Sequence, residues 1–141
     1  MTVYVDSSFI VSLYVEDEHS ETAQKRMQEN VRVWFTPLLA AECSHAIAKQ
    51  VFYRKISLRD ADLIFNSLKR DRANGLWSET AMPENALDIC ADLGRRYAPQ
   101  FGMRTLDTLH VACALELKAE QFWTFDERQA KLAKATGLKS A

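Results

Sequence analysis

The chain has 141 residues, of which 48% are hydrophobic and 26% are charged, and its formal net charge is −1. This size and composition predict one globular domain with a real core, and the charge argues against a strongly basic surface for nucleic acids. The apolar runs are far shorter than the roughly 18 to 20 residues of a membrane-spanning helix, and the N-terminus begins with a strand pattern rather than a secretory signal. We therefore expect a cytoplasmic protein that is not associated with a membrane.

Strand and helix patterns alternate along the chain. The predicted strands cover residues 2–5, 31–35, 76–77 and 121–124, and the predicted helices cover residues 7–15, 20–30, 37–54, 57–72 and 83–97, a sixth helix from 105, and a last helix from Asp126 to Gly137 with Gln129 as a capping-box partner. This alternation predicts a parallel sheet with helices on both faces. No repeat or linker divides the chain, so a single domain over residues 1–141 is expected.

The three cysteines, Cys43, Cys90 and Cys113, lack CxxC spacing and are odd in number. Neither a disulfide framework nor a zinc site is indicated. We expect all three to be small core residues.

Four acidic residues lie next to or within apolar segments of the sequence. Each one ends, follows or interrupts a run of apolar residues: Asp6, Glu42, Asp107 and Asp126. An ionised carboxylate removed from water needs a cation or must bind a proton, and no run of lysine or arginine accompanies these four. A divalent metal ion would meet that need.

Asp6 and Asp126 each follow a predicted strand and precede a predicted helix. In an open α/β sheet, functional residues gather outside the carboxyl ends of the strands, which places both acids at the functional edge. The simpler interpretation of each aspartate alone is a helix N-cap.

Glu42 and Asp107 are predicted on the apolar stripes of their helices. A structural interpretation of Glu42 is a half-buried glutamate held by a nearby donor such as His45 or Lys49. Asp107 also falls in the first turn of its helix, where an acid is favoured. His110, one turn later, is more often a packing residue than a ligand, and we leave it out of the catalytic set.

Several acids in one pocket repel one another unless a cation compensates. Ligation by oxygen alone suits Mg²⁺ or Mn²⁺, which position and activate water for phosphodiester hydrolysis. The hydroxyls of Ser8 and Thr124 flank two of the acids and are candidate supporting groups, although they are also capping residues.

With these features, the chain closely resembles PIN-domain proteins, and in particular VapC-type toxins, along nearly its whole length. The resemblance rests on four segments: Val3-Tyr4-Val5-Asp6-Ser7-Ser8, Ala41-Glu42, Arg104-Thr105-Leu106-Asp107-Thr108-Leu109-His110-Val111-Ala112 and Phe122-Trp123-Thr124-Phe125-Asp126. The last two segments, at their spacing, are quite specific.

The resemblance implies a three-layer α/β/α PIN fold with a central, mainly parallel sheet. It also implies an Mg²⁺- or Mn²⁺-dependent endoribonuclease acting on RNA, in which Asp6, Glu42, Asp107 and Asp126 bind metal or activate water. Ser8 and Thr124 become supporting polar residues. A homodimer and a VapB-like antitoxin that covers the site are further implications.

Three other functions remain open at this point. The first is a PIN ribonuclease with a housekeeping role and no antitoxin, and the second is a catalytically silent module that binds RNA or protein. The third is a phosphatase of the haloacid-dehalogenase type, which expects an aspartate where this chain has Ser8.

Overall fold

The computed structural model describes residues 1–140. Its elements, in chain order, are β1 (Thr2–Val5), α1 (Ser7–Tyr14), α2 (Ser20–Met27), β2 (Arg32–Phe35), α3 (Pro37–Phe52), α4 (Leu58–Ala73), β3 (Ser78–Glu79), α5 (Ala86–Phe101), α6 (Thr105–Glu116), β4 (Gln121–Trp123), α7 (Glu127–Ala135) and β5 (Lys139–Ser140). The five strands form one sheet in the order β3-β2-β1-β4-β5, and every pairing is parallel. The predicted α/β/α fold with a central parallel sheet is confirmed.

Strand β1 occupies the centre of the sheet. Val3, Tyr4 and Val5 are fully buried, as expected for a strand that is covered on both faces. Tyr4 pairs with Trp34 of β2 on one side and with Phe122 of β4 on the other. The residues that follow β1, β2 and β4 are therefore neighbours at the carboxyl edge of the sheet.

Helix α5 differs from the prediction at both ends. It begins at Ala86 rather than at Pro83, and it continues through Pro99 to Phe101 instead of ending near Tyr97. Pro99 lacks an N–H donor, so one helical hydrogen bond is missing there, and the helix nevertheless continues for two more residues. The helix then ends at Gly102, whose φ of 63° is a left-handed conformation that glycine adopts readily.

The smaller strands were also predicted incompletely. Strand β3 lies at Ser78–Glu79 rather than at residues 76–77, and β5 was not predicted. Two residues are too few to show an alternating pattern, so only the pairing with β2 or β4 defines these strands. Helix α2 ends at Met27, three residues before the predicted end.

Cys43, Cys90 and Cys113 are buried in the core, as expected, and their thiols are free. Among residues 1–140, no helix combines the length and the hydropathy needed to cross a bilayer.

Candidate active site

Asp6 joins the central strand to helix α1. Its carboxylate accepts a hydrogen bond from the Phe9 N–H at 3.2 Å, and the Ser8 hydroxyl lies 2.8 and 2.7 Å from its two oxygens. The residue is only 6% exposed. Burial raises the pKa of Asp6, and the opposing influence of Ser8 and of the nearby His110 only partly offsets that effect. Asp6 is therefore a helix cap, and it is also a carboxylate that has lost its hydration.

Glu42 lies in the second turn of α3, and its side chain is 24% exposed. Its Oε1 atom is hydrogen-bonded to Nε2 of His110, which belongs to α6. The predicted local donors, His45 and Lys49, do not make this contact. The His45 ring instead hydrogen-bonds the Ala41 carbonyl of its own helix at 2.9 Å. Sequence proximity suggested the wrong donor, because Glu42 reaches across to another helix.

Asp107 lies in the first turn of α6, and its side chain is 15% exposed. The exposed Arg104 donates a hydrogen bond from Nε to Oδ2 of Asp107 at 3.1 Å. This bond raises the pKa of Arg104, and the nearby carboxylates of Asp126 and Glu42 add to the effect. Arg104 thus lies within electrostatic range of three of the four acids.

Asp126 caps helix α7 by accepting the Gln129 N–H at 2.9 Å. The Thr124 hydroxyl accepts the Asp126 N–H at 3.0 Å and donates to Oε1 of Gln129 at 2.7 Å. The Gln129 amide in turn donates to the Asp107 carbonyl at 3.1 Å. The predicted capping box is wrong in its second half, because the buried Gln129 side chain links α7 to α6 and does not reach back to Asp126.

These contacts bring the elements that carry the four acids to one edge of the sheet. Gln129 joins the segments of Asp107 and Asp126, and His110 joins α6 to Glu42. Asp6 follows the strand between β2 and β4. The Ser8 hydroxyl contacts the Asp6 carboxylate, whereas the Thr124 hydroxyl accepts the Asp126 N–H and is also a hydrogen-bond partner that lowers the pKa of Asp6.

A carboxylate set of this kind fits a hard divalent cation by donor type, since all its ligand atoms are oxygens. As placed, however, no three His, Cys, Asp or Glu side chains within residues 1–140 are arranged to hold one metal ion. Glu42 and Asp107 instead engage protein donors, namely His110 and Arg104. The ligand roles of the four acids remain predictions.

Two residues outside the predicted site set are part of this arrangement. Gln129 was predicted only as a capping-box partner, and it is fully buried. Arg104 stands three residues before Asp107, the spacing of a helical ion pair, which is a signal that the sequence did contain.

Buried and half-buried acids at the carboxyl edge of a parallel sheet are typical of α/β proteins whose functional site lies at that edge. The PIN-domain family matches residues 3–135, and the chain belongs to this family. A comparison with curated protein sequences gave no match.

Several solved structures share the fold. They are FitAcB from Neisseria gonorrhoeae (16% identity, TM-score 0.71, covering 98% of this chain and 95% of that one), VapBC2 from Rickettsia felis bound to a DNA fragment from their promoter (15%, 0.68, 100% and 98%) and VapC20 from Mycobacterium tuberculosis, a sarcin-ricin loop cleaving toxin (15%, 0.70, 96% and 95%). At these identities the likeness establishes the fold, and the family supports a nuclease.

Proposed function

We propose that the protein is an Mg²⁺- or Mn²⁺-dependent endoribonuclease, the toxin of a VapBC-type toxin-antitoxin pair that inhibits translation. The observation that carries the proposal is the desolvated carboxylate of Asp6 at the end of the central strand, with three further acids on the elements around it. Such a group costs stability unless a cation joins it. The similarity in fold to a toxin described as cleaving the sarcin-ricin loop supports RNA as the substrate.

In this proposal, Asp6, Glu42, Asp107 and Asp126 hold the cation. When bound, the cation supplies an activated water and positive charge that offsets the charge developing on the phosphate. Ser8 keeps the Asp6 carboxylate in one orientation through its hydrogen bonds. Asp107 would be one of the groups that hold the cation, and the exposed guanidinium of Arg104 beside it would bind a phosphate oxygen.

A groove beside Glu42 supports RNA as the ligand. Its volume is about 560 Å³, and its lining includes Lys49, Arg104 and the apolar side chains of Leu38 and Leu106. The positively charged side chains of Lys49 and Arg104, on the same groove as Glu42, offer contacts for the phosphates that flank a scissile bond. The apolar wall offers a surface for a base or a sugar.

The proposed partners are a VapB-like antitoxin and a second copy of this chain. The similarity in fold to VapBC2 and FitAcB, whose names join two components, supports the antitoxin. Co-expression with any short reading frame beside the gene tests it: we expect a stable complex and loss of ribonuclease activity. A mass that corresponds to one chain in solution would contradict the homodimer.

The nuclease proposal is tested by incubating the purified protein with structured RNA, with Mg²⁺ or Mn²⁺, and with EDTA. Cleavage should require the divalent ion and should be lost in Asp107→Asn. Asp62→Asn, which changes an exposed acid on α4, is the matched control and should cleave normally. Full cleavage in EDTA would refute the metal dependence.

One observation favours a second candidate, a catalytically silent module that binds RNA or protein. Within the described residues, no three candidate ligands are arranged to hold a metal ion. Calorimetry separates the two candidates. RNA binding without any Mn²⁺ binding would favour the silent module, whereas Mn²⁺ binding that disappears in Asp6→Asn supports the nuclease.

A further inference from the structure

A chain of buried hydrogen bonds leads from the central strand to Glu42. The Tyr4 hydroxyl lies 2.9 Å from Nδ1 of His110, and Nε2 of His110 contacts Oε1 of Glu42. Tyr4 is fully buried, and His110 is 1% exposed. Both ring nitrogens of the histidine are thus engaged, one by the sheet and the other by the candidate site.

The direction of these hydrogen bonds follows from the chemistry of the carboxylate. A carboxylate only accepts hydrogen bonds, so the contact with Glu42 requires the proton of the ring on Nε2. In a neutral ring, Nδ1 then carries no proton and accepts from the Tyr4 hydroxyl. The contact with Tyr4 is therefore compatible with the histidine tautomer that can hold the glutamate.

Glu42 differs from the other three acids in how it is held. Asp6, Asp107 and Asp126 each bond to a donor within three residues in sequence. Glu42 has a longer side chain, and its donor is 68 residues away in sequence. Without His110, the carboxylate would sample several rotamers, and the entropy of ordering it would oppose any ligand.

The arrangement leaves part of Glu42 available. Oε1 is used by His110, and among residues 1–140 no hydrogen bond is made to Oε2. A carboxylate that is tied by one oxygen and presents the other is typical of an oriented metal ligand. The same helix, α6, also carries Asp107, so His110 relates the positions of two of the acids.

We propose that His110, held at its other ring nitrogen by Tyr4, is a positioning residue that fixes Glu42 for binding a divalent cation. This role rests on the proposed function. A purely structural role for the same contacts predicts changes in stability alone, whereas positioning predicts a change in affinity for the ion.

Mn²⁺ binding to the full chain, measured by calorimetry, is the test. His110→Leu removes both ring nitrogens and should weaken Mn²⁺ binding about tenfold or more. His110→Gln retains an amide donor and should restore part of the affinity. Tyr4→Phe removes only the hydroxyl, leaves the ring stacked on Phe122, and should weaken binding several-fold.

Tyr14→Phe is the matched control. Like Tyr4→Phe, it deletes one tyrosine hydroxyl. This hydroxyl is half-buried and donates to Asp71. Mn²⁺ affinity should be unchanged in this variant. RNA cleavage by His110→Leu should recover when the Mn²⁺ concentration is raised, because the lost step is binding of the ion.

Three results would overturn the positioning role. In the first, wild type binds Mn²⁺ and cleaves RNA, while a folded His110→Leu binds the ion with unchanged affinity; the nuclease proposal then stands without this inference. In the second, His110→Leu does not fold and Tyr4→Phe binds Mn²⁺ with unchanged affinity. In the third, wild type binds no Mn²⁺, which overturns the proposed function and the positioning role together.

Discussion

The two ends of the parallel sheet treat a carboxylate in opposite ways. At the carboxyl edge, Asp6 is 6% exposed, and burial raises its pKa. At the amino edge, Glu120 stands just before β4, is exposed, and accepts the Thr2 N–H at 2.6 Å. This backbone hydrogen bond lowers the pKa of Glu120. The charged form is therefore disfavoured at the first edge and favoured at the second.

The difference shows where this fold gives up stability. Glu120 satisfies the first N–H of β1 and keeps most of its contact with water. Asp6 satisfies an N–H of α1 equally well, yet it does so with a desolvated charge that an asparagine cap would avoid. Retention of a charge where a neutral group would serve the fold is typical of a functional site.

Asp6→Asn is the variant with the largest expected effect, and it tests the difference between the carboxyl and amino edges of the sheet. Asparagine caps a helix about as well as aspartate, so the melting temperature should stay the same or rise as the buried charge disappears. RNA cleavage should fall by at least about a hundredfold, because the variant loses a charged ligand for the proposed cation. Cleavage assays and thermal unfolding on the same preparation measure both effects.

Glu120→Gln is the matched control for that variant. It removes one charge from the exposed edge and should leave cleavage unchanged while slightly lowering the melting temperature. Equal losses of activity in the two variants would mean that net charge, and not the place of Asp6, controls cleavage.

The central strand and the longer helices of this fold were predictable from sequence. The apolar run before Asp6 and the residues that start helices predicted β1, α1, α3 and α4 to within about two residues, because these patterns are strong and local. Strands β3 and β5 have two residues each and are defined only by their partners. Pro99 misled the prediction because a proline normally stops a helix, whereas α5 continues past it to Phe101.

The candidate site was predictable as a set of residue types, and less so as a set of contacts. All four acids were identified because charge in apolar company is a visible anomaly. The pairing of Glu42 with His110 spans 68 positions and depends on how α3 and α6 meet at the sheet. A single sequence contains no signal for such a contact, which is why His110 was predicted only as a packing residue.

Lys49→Glu tests the carboxyl edge of the sheet through a smaller effect, on RNA binding. Lys49 lines the groove beside Glu42, whereas Lys134 lies in the last turn of α7, which runs from the carboxyl edge toward the start of β5 at the amino edge. We expect Lys49→Glu to weaken RNA binding roughly fivefold at low salt and to reduce the salt dependence by about one phosphate contact.

Lys134→Glu carries the same change of charge and should bind RNA like the wild type. Binding is best measured by fluorescence anisotropy in EDTA with a labelled RNA, at several salt concentrations, so that cleavage does not intervene. Similar losses in both variants would show that RNA responds to the overall charge and that the groove is not a preferred path.

The smallest expected effect is a difference in how stability depends on pH. The folded-state pKa of Asp6 is raised above its usual value of 3.8, so its contribution to stability is fully present below that value and is lost as the pH rises through the folded-state pKa. Wild type should therefore lose stability relative to Asp6→Asn as the pH rises above about 3.8.

For Glu120 the pH dependence of stability has the opposite sign. Its folded-state pKa is lowered from 4.5, so its contribution is present above that value and disappears as the pH falls through the folded-state pKa.

Urea unfolding in EDTA from pH 3 to pH 7 measures both differences. At each pH, the free energy of unfolding of the variant is subtracted from that of the wild type. The difference should fall with rising pH for Asp6→Asn and should fall with decreasing pH for Glu120→Gln. If the Asp6 curve rises with pH instead, the charged form of Asp6 is stabilised by the folded protein itself. The carboxyl edge would then have no need of a cation, and the contrast between the two ends of the sheet would lose its physical basis.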